Sequence, residues 1–259
     1  MKPFIVIPTY NEEGNIKDLV TRILSLHPEF SIIIVDDNSP DGTGGIADAL
    51  ANHDTRVSVI HRLCKAGLGT AYVEGFKAAL AKGADIIFEM DADFSHDPMY
   101  IENFLKASKQ AQLVIGSRYI NGVRVEGWSF RRLMLSKFAN IYASRIMLRP
   151  VWDFTSGFRC YHREVLEAMD LNNIRSDGYS FQIEMIYLTY KKGFQIAEIP
   201  ITFRERKSGS SKITGRIKHE AFSLVLRYHA PFHLLIKYLG HFLENSEHFF
   251  IRISKAWEK

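Results

Sequence analysis

The sequence predicts an α/β fold in which a mostly parallel sheet is flanked by helices, and three observations support it. Short runs of β-branched and apolar residues alternate with longer segments of helical periodicity between residues 4 and 115. These runs are apolar at successive positions, as is typical of strands in a sheet that is covered on both faces. The chain of 259 residues, 46% of them hydrophobic, is long enough to build one large core of this kind.

Each predicted strand is a run rich in Ile, Val or Phe, and each predicted helix repeats apolar residues every three to four positions. The strands are residues 4–7, 32–35, 57–60, 86–90 and 113–115. The helices between them are residues 16–26, 43–51, 69–82 and 99–111. After residue 125 the pattern is less regular, with helices over 131–148, 181–191, 217–228 and 232–243, a strand over 194–203, and a strand or loop over 152–161.

Composition and charge disfavour several classes of protein. The formal net charge of +4 is too small to argue for nucleic-acid binding, so no nucleic acid is expected as a partner. Cys64 and Cys160 lack the spacing of metal ligands and are expected to be reduced thiols in a cytoplasmic protein. No signal peptide is recognised, and no uncharged apolar stretch reaches the ~20 residues that a membrane-spanning helix needs. Any contact with a membrane is therefore expected at its surface.

Acidic residues follow three of the predicted strands, and those after the fourth strand are the most informative. Asp91 and Asp93 stand one residue apart directly after an apolar run. Ligands of parallel α/β sheets bind outside the carboxyl ends of the strands, where two carboxylates suit a divalent cation and its diphosphate. Taken alone, the pair is equally consistent with two solvated acids. Acids that converge from three strand ends repel one another unless a cation, a base or a ligand compensates them, which favours a binding site.

Three segments of the chain resemble the inverting GT-A glycosyltransferases of family 2. They read VIPTYNE at residues 6–12, VDDNSPDGT at 35–43 and MDADFSH at 90–96. The resemblance continues through GSRY, TSGFR, GYSFQIEM and GSSK, which begin at residues 116, 155, 178 and 209. Within the family, the chain is most similar to the polyprenol-phosphate (dolichol-phosphate) mannosyltransferases over residues 3–215. Each segment is weak alone, but their order and mutual spacing are highly specific.

The resemblance implies a domain division and a reaction. A GT-A catalytic domain is expected over residues 1–215 and a C-terminal amphipathic helical region over residues 216–259. The implied reaction is the inverting transfer of mannose from GDP-mannose to a polyprenyl (dolichyl-type) monophosphate, with Mg²⁺ or Mn²⁺ as cofactor. The alternative is a polyprenyl-phosphate glucosyl- or other hexosyltransferase that uses a different sugar nucleotide. A nucleotidyltransferase is disfavoured, because it would normally carry a Gly-rich loop and a Lys where this chain reads PTYNE.

The same resemblance implies which residues bind the donor. Those expected to contact the nucleoside are Pro8, Tyr10, Glu12, Val35 and Asp37. The chemistry is suitable, because a Tyr ring offers a flat face and carboxylates accept hydrogen bonds from ribose hydroxyls or guanine N–H groups. For Asp37 the alternative is that its side chain stabilises the turn in which it lies. Arg206 and Lys212 match the family's pair that closes on the diphosphate, with small residues between them that would allow the loop to move.

The acidic segment is expected to supply the metal site. Asp93 is the expected direct ligand, whereas Asp91 and Ala92 are expected on the donor side, with Asp91 a weak ligand at most. Ser95 stands where some family members carry a Gln ligand, so its hydroxyl is expected to bind the cation directly, through water, or not at all. For His96 a turn or capping role is favoured over a ligand role.

The nucleophile of the acceptor would be a phosphate oxygen, which is already anionic at neutral pH, so a strong general base is not needed. Arginine is well suited to holding one phosphate beside another. By resemblance, Arg118, Arg132 and Ser136 receive the acceptor phosphate and, with Asp93, form the catalytic set. For Arg132 the alternative is a solvated helix face beside Arg131.

The C-terminal region combines apolar and basic residues at helical spacing from residue 229 to residue 257. It is predicted to lie in a bilayer interface with its basic groups facing anionic lipid, which would place the protein peripherally on the cytosolic face of a membrane. The family resemblance also allows a membrane-protein partner. The alternatives are helices packed on the catalytic domain or a dimer contact.

Overall fold

The computed structural model describes residues 1–147, 150–174 and 176–205, which form a large sheet, a two-stranded ribbon and seven α-helices. The strands are β1 (Pro3–Thr9), β2 (Ser31–Asp36), β3 (Val57–His61), β4 (Ile86–Glu89), β5 (Leu113–Ser117), β6 (Val125–Glu126), β7 (Arg159–His162), β8 (Ile196–Pro200) and β9 (Phe203–Arg204). The helices are α1 (Ile16–Leu26), α2 (Thr43–His53), α3 (Leu68–Ala81), α4 (Ile101–Ala107), α5 (Phe130–Met147), α6 (Arg163–Glu167) and α7 (Gly178–Lys191).

The large sheet has the strand order β3-β2-β1-β4-β7-β5-β8, and only β7 runs antiparallel to its neighbours. The predicted mostly parallel sheet is therefore confirmed. The strand order reverses at β1, because β2 and β3 lie on one side of it and β4 pairs with its other edge. Such a reversal opens a crevice outside the carboxyl ends of the two central strands.

Both faces of the large sheet are covered by apolar side chains, as the continuous apolar runs predict. Successive residues of β1 point to opposite faces. Phe4 and Val6 pack in the core layer that includes α3 and α7, whereas Ile5 and Ile7 pack in the layer that includes α1 and α4. Helix α3 approaches the sheet closely at Gly75, where an added Cβ would lie 2.2 Å from a methyl group of Val6.

Two elements differ most from the sequence prediction. The helix predicted over 99–111 starts with a 3₁₀ turn, Pro98–Tyr100, and ends at Ala107. Its early end coincides with Ser108, whose hydroxyl donates to a carbonyl of the preceding turn. The strand predicted over 194–203 divides into β8, which pairs with β5 in the large sheet, and β9, which pairs with β6 in the ribbon. The segment 152–161 is mostly loop, and the region expected over 216–259 lies outside the described residues.

Candidate active site

A cleft of about 270 Å³ opens at the carboxyl ends of the central strands. Nine residues predicted from the sequence line it: Pro8, Tyr10, Glu12, Asp37, Asp91, Ala92, Asp93, Arg118 and Arg132. Of the other predicted residues in the described part of the chain, Val35, Ser95 and Ser136 do not line it. Arg206 and Lys212 lie outside the described residues. The fold thus brings predicted donor, metal and acceptor residues into one cavity.

Each of the two carboxylates in the turn after β4 is held by a hydrogen bond. Asp93 accepts a hydrogen bond from the N–H of Ser95, and Asp91 accepts one from the hydroxyl of Tyr72, each at 3.1 Å. Phe94 has a φ of 60°, a left-handed conformation that is uncommon for a bulky residue and that concentrates at functional sites. The turn therefore gives the two carboxylates a defined position in the cleft wall.

The buried side chain of His96 stabilises this turn. Its Nδ1 accepts a hydrogen bond from the N–H of Asp91 at 3.1 Å, and its ring stacks on that of Phe158 with centroids 5.1 Å apart. Burial lowers the pKa of His96, which favours the neutral ring that this acceptor role requires. The turn role favoured from the sequence is confirmed.

The oxygen atoms that this turn offers as metal ligands suit a divalent cation that arrives bound to a diphosphate. Among the described residues, no group of three or more His, Cys, Asp or Glu side chains is arranged to hold a metal ion. Cations such as Mg²⁺ are commonly bound through one or two carboxylates, with substrate phosphates completing the shell, and Asp91 and Asp93 provide two. Beside them, the hydroxyl oxygen of Ser95 is buried and lacks a hydrogen-bond partner in the described part of the chain.

The turns after β1 and β2 contribute a second group of cleft residues. The ammonium group of Lys65 lies 3.9 Å from the centroid of the Tyr10 ring. Asp37 accepts a hydrogen bond from Arg62 at 2.6 Å, and both side chains are only 7% exposed. Burial raises the pKa of Asp37, although the charge of Arg62 opposes this. Arg62 also donates to the carbonyl of Gly67, so one guanidinium fixes both Asp37 and the loop before α3.

Neighbouring residues make the local turn contacts. Asp36 accepts hydrogen bonds from the N–H and the hydroxyl of Ser39. Asp36 thus makes the hydrogen bonds within this turn, whereas those of Asp37 reach Arg62 and the main chain of residues 66 and 67. Val35 is fully buried in the core, main chain included, and does not line the cleft, so the structure does not place it where the sequence predicted a donor contact.

Arg118, directly after β5, is held by a buried ion pair. Its Nε and Nη2 atoms lie 2.7 and 2.6 Å from the two carboxylate oxygens of Asp153, and Nη2 also donates to Thr155 at 2.6 Å. Burial acts to raise the pKa of Asp153, but the charge and hydrogen bonds of Arg118 outweigh it and lower that pKa. Both partners are therefore charged, and Arg118 enters the cleft wall with a fixed orientation.

Arg132 and Ser136 lie one turn apart on α5, on the same side of the helix. Arg132 donates to Glu205 at 2.7 Å and lines the cleft, whereas Arg131 is exposed, so the solvated helix face describes Arg131 and not Arg132. The hydroxyl of Ser136 accepts a hydrogen bond from Tyr119 at 2.7 Å. Ser136 is thus beside the predicted phosphate site without lining the cleft.

Sequence reasoning did not assign several residues of the site. Gln182 lines the cleft and donates to Glu89 at 2.9 Å, and burial raises the pKa of Glu89 to about 7. A signal for Glu89 was present, because it is an acid inside an apolar strand. Asp153, Arg62 and Trp128 gave no comparable signal, since each acts through a partner that is distant in the sequence.

Comparison with known proteins agrees with the predicted fold and family. The profile described as "Glycosyl transferase family 2" matches residues 4–170. The chain belongs to glycosyl transferase family 2. This glycosyltransferase is 45% identical to the polyprenol monophosphomannose synthase of Mycolicibacterium smegmatis, over 88% of its own length and 86% of that protein's. It is 42% identical to the undecaprenyl-phosphate mannosyltransferase of Micrococcus luteus, over 88% and 94% of the two chains. The family predicted from the sequence is confirmed.

Solved structures show the same fold for this glycosyltransferase. Glucosyl-3-phosphoglycerate synthase from Mycobacterium tuberculosis, in complex with Mn²⁺, uridine diphosphate and glucosyl-3-phosphoglycerate, superimposes with a TM-score of 0.67. The two sequences are 21% identical, and the match covers 88% of this chain and 80% of that one. At this identity the likeness concerns the fold alone, and it agrees with the predicted GT-A class.

Proposed function

We propose that this glycosyltransferase transfers mannose from GDP-mannose to a polyprenyl monophosphate, with inversion, giving polyprenyl β-mannosyl phosphate and GDP. The observation that carries the proposal is a single cleft whose lining includes the neighbouring carboxylates Asp91 and Asp93 and the arginines Arg118 and Arg132. A diphosphate with its cation suits the carboxylates, and a second phosphate suits the arginines. The names of the two curated relatives support mannose as the sugar and a polyprenyl phosphate as the acceptor.

The nucleoside of the donor is proposed to bind at the turns after β1 and β2. Tyr10 offers a ring face, and Asp37 accepts hydrogen bonds from ribose or guanine, with its carboxylate oriented by Arg62. Val35 is proposed to support this turn from the core, since it is buried and does not line the cleft. Arg206 and Lys212 are proposed to close on the diphosphate.

Mg²⁺ or Mn²⁺ is proposed as the cofactor, with Asp93 as its direct ligand. Asp91 lies beside it, and the unpartnered hydroxyl of Ser95 is a candidate third oxygen donor. When bound, the cation would stabilise the charge that develops on the departing GDP. The Mn²⁺ in the complex of the structurally similar glucosyl-3-phosphoglycerate synthase supports a divalent cation in this fold.

In the proposed reaction, an oxygen of the acceptor phosphate attacks the anomeric carbon of mannose as the bond from that carbon to the β-phosphate oxygen of GDP breaks. The attacking oxygen is anionic, so no proton has to be removed. Catalysis then depends on holding two negative groups in line, which Arg118 and Arg132 achieve through directed hydrogen bonds. Ser136 is hydrogen-bonded to Tyr119 one helical turn from Arg132, and it is proposed to support the acceptor-phosphate site from beside the cleft.

An exposed apolar stripe on α5 supports an acceptor that is held at a membrane surface. Phe130, Met134, Phe138 and Ile141 recur every three or four residues and are 48–74% exposed. The same helix carries Arg132, so a lipid held along the stripe would bring its phosphate near the cleft. The described residues include no helix that is both long and apolar enough to cross a bilayer. We propose peripheral attachment to the cytosolic face through this stripe and the region 216–259.

The test is transfer of radiolabelled sugar to polyprenyl phosphates of several chain lengths. The purified full-length protein receives GDP-mannose or UDP-glucose, with Mg²⁺, Mn²⁺ or EDTA, and lipid-extractable label is counted. We expect product from GDP-mannose only when metal is present. Asp93→Asn should lower kcat by at least about 100-fold. Asp97→Asn is the matched control, because Asp97 belongs to the same turn but lies outside the cleft and caps the next helix. Preference for UDP-glucose would replace the mannosyl proposal, and transfer in EDTA would refute the metal.

A further inference from the structure

The indole ring of Trp128 contacts both arginines of the cleft. The guanidinium carbon of Arg132 lies 4.2 Å from the centroid of the ring, and that of Arg118 lies 5.3 Å from it. These arginines come from different elements, since one follows β5 and the other lies on α5. A guanidinium over an aromatic face is attracted by the negative charge density of the ring. One side chain therefore fixes both cations relative to each other.

The two arginines differ in how firmly their acidic partners hold them. Arg118 is locked by Asp153, in a pair that is almost completely buried. Arg132 pairs with Glu205 at 2.7 Å, but these side chains are 29% and 43% exposed, so this pair is weaker. Of the two guanidinium groups, that of Arg132 lies nearer to the Trp128 ring, which gives it a second contact besides the exposed ion pair.

The indole N–H of Trp128 has no hydrogen-bond partner in the described part of the chain, although it is shielded from water. A buried indole N–H normally finds an acceptor, so an unpaired one requires an explanation. Trp128 lines the cleft beside the two arginines, so a small side-chain adjustment on ligand binding would bring this N–H to an anionic oxygen in the cleft. We propose that Trp128 positions Arg118 and Arg132 and donates its indole N–H to the acceptor phosphate. This inference rests on the proposed function, which places that phosphate in the cleft.

Calorimetric binding of geranyl phosphate, a water-soluble isoprenyl phosphate, tests the inference with the full-length protein. Trp128→Phe keeps an aromatic face but removes the N–H, and should weaken binding of geranyl phosphate about tenfold. Trp128→Leu also removes the aromatic face and should weaken it about threefold more. The Kd for GDP should stay within about twofold in both variants, and in transfer assays the KM for the acceptor should rise while that for GDP-mannose does not. Trp152→Phe is the control, because Trp152 is 62% exposed and lies outside the cleft.

Three results would overturn the inference. Wild-type affinity for geranyl phosphate in both Trp128 variants would show that neither the ring nor the N–H contributes. An equal loss of GDP affinity would indicate a general distortion of the cleft, which thermal unfolding of each variant checks independently. If the wild-type protein itself neither bound nor mannosylated isoprenyl phosphates, the proposed function would fail first and the inference with it.

Discussion

Replacing Asp153 with Asn should destabilise the protein by about 3–5 kcal/mol, because it leaves the charge of Arg118 unpaired in the interior. The side chains of Arg118 and Asp153 are 4% and 0% exposed. Two side-chain hydrogen bonds of 2.6 and 2.7 Å join them, and the N–H of Arg118 adds a third at 3.0 Å. Water and salt screen a pair at this depth only weakly, so solvation does not compensate for the lost charge.

A second substitution separates the effect of charge from that of packing. Arg118→Met, combined with Asp153→Asn, removes the buried cation, while the Asn oxygen can still accept the main-chain hydrogen bond at position 118. We expect the double variant to be at least about 2 kcal/mol more stable than Asp153→Asn alone. Glu126→Gln is the control, because it breaks an ion pair with Arg204 whose side chains are 59% and 65% exposed, and should cost less than about 1 kcal/mol.

Urea denaturation at neutral pH, followed by tryptophan fluorescence, measures the free energy of unfolding of each variant. A cost below about 1 kcal/mol for Asp153→Asn would refute the reasoning. So would a double variant no more stable than the single one. Transfer activity should be lost in the double variant despite its recovered stability, because the site proposed for the acceptor phosphate then lacks Arg118.

Three further outcomes are expected. Burial raises the pKa of Glu89 from 4.5 to about 7, so the folded protein binds more protons than the unfolded chain between those values. Stability should therefore fall by roughly 3 kcal/mol as pH rises across this range, and thermal unfolding of Glu89→Gln should lack that fall; identical pH profiles would contradict the assignment. Gly75→Ala should lower the free energy of unfolding by about 1–3 kcal/mol, because the new Cβ would collide with Val6. Gly45→Ala, where no atom lies within 4 Å of the new Cβ, should be neutral or slightly stabilising, and equal melting temperatures for the two variants would contradict this packing. Phe138→Ser should reduce cosedimentation with anionic liposomes several-fold if the stripe on α5 binds membranes, and unchanged partitioning would exclude that role.

Most of the strands and helices up to residue 115 could be predicted because their signals are local. Ile32 to Val35, for example, forms a continuous apolar run, and the structure places it inside β2 with both faces buried. The helix after Asp97 ends earlier than predicted, because Ser108 bonds to the main chain and apolar periodicity alone cannot reveal that competition. The direction of β7 was also not predictable, since it depends on the path of the chain after α5.

The candidate site divides in the same way. Its carboxylates could be named in advance because they stand at strand ends, which the fold class brings to one edge of the sheet. Their partners could not, because the Arg62 side chain reaches Asp37 across 25 positions and Asp153 reaches Arg118 across 35. Such contacts leave no periodic trace in a single chain.

By itself, the sequence determined the α/β class, the acidic edge of the sheet and the membership in glycosyl transferase family 2, because periodicity and ordered short segments are properties of the chain alone. The tertiary structure decided which of the acidic residues stabilise turns and which line the cleft. Asp36 holds a turn while Asp37 lines the cleft, although the two are adjacent. It also decided that Arg118 enters the cleft wall already paired with Asp153. The reason is geometric: the direction of a side chain and the identity of its distant neighbours exist only once the strands and loops are assembled.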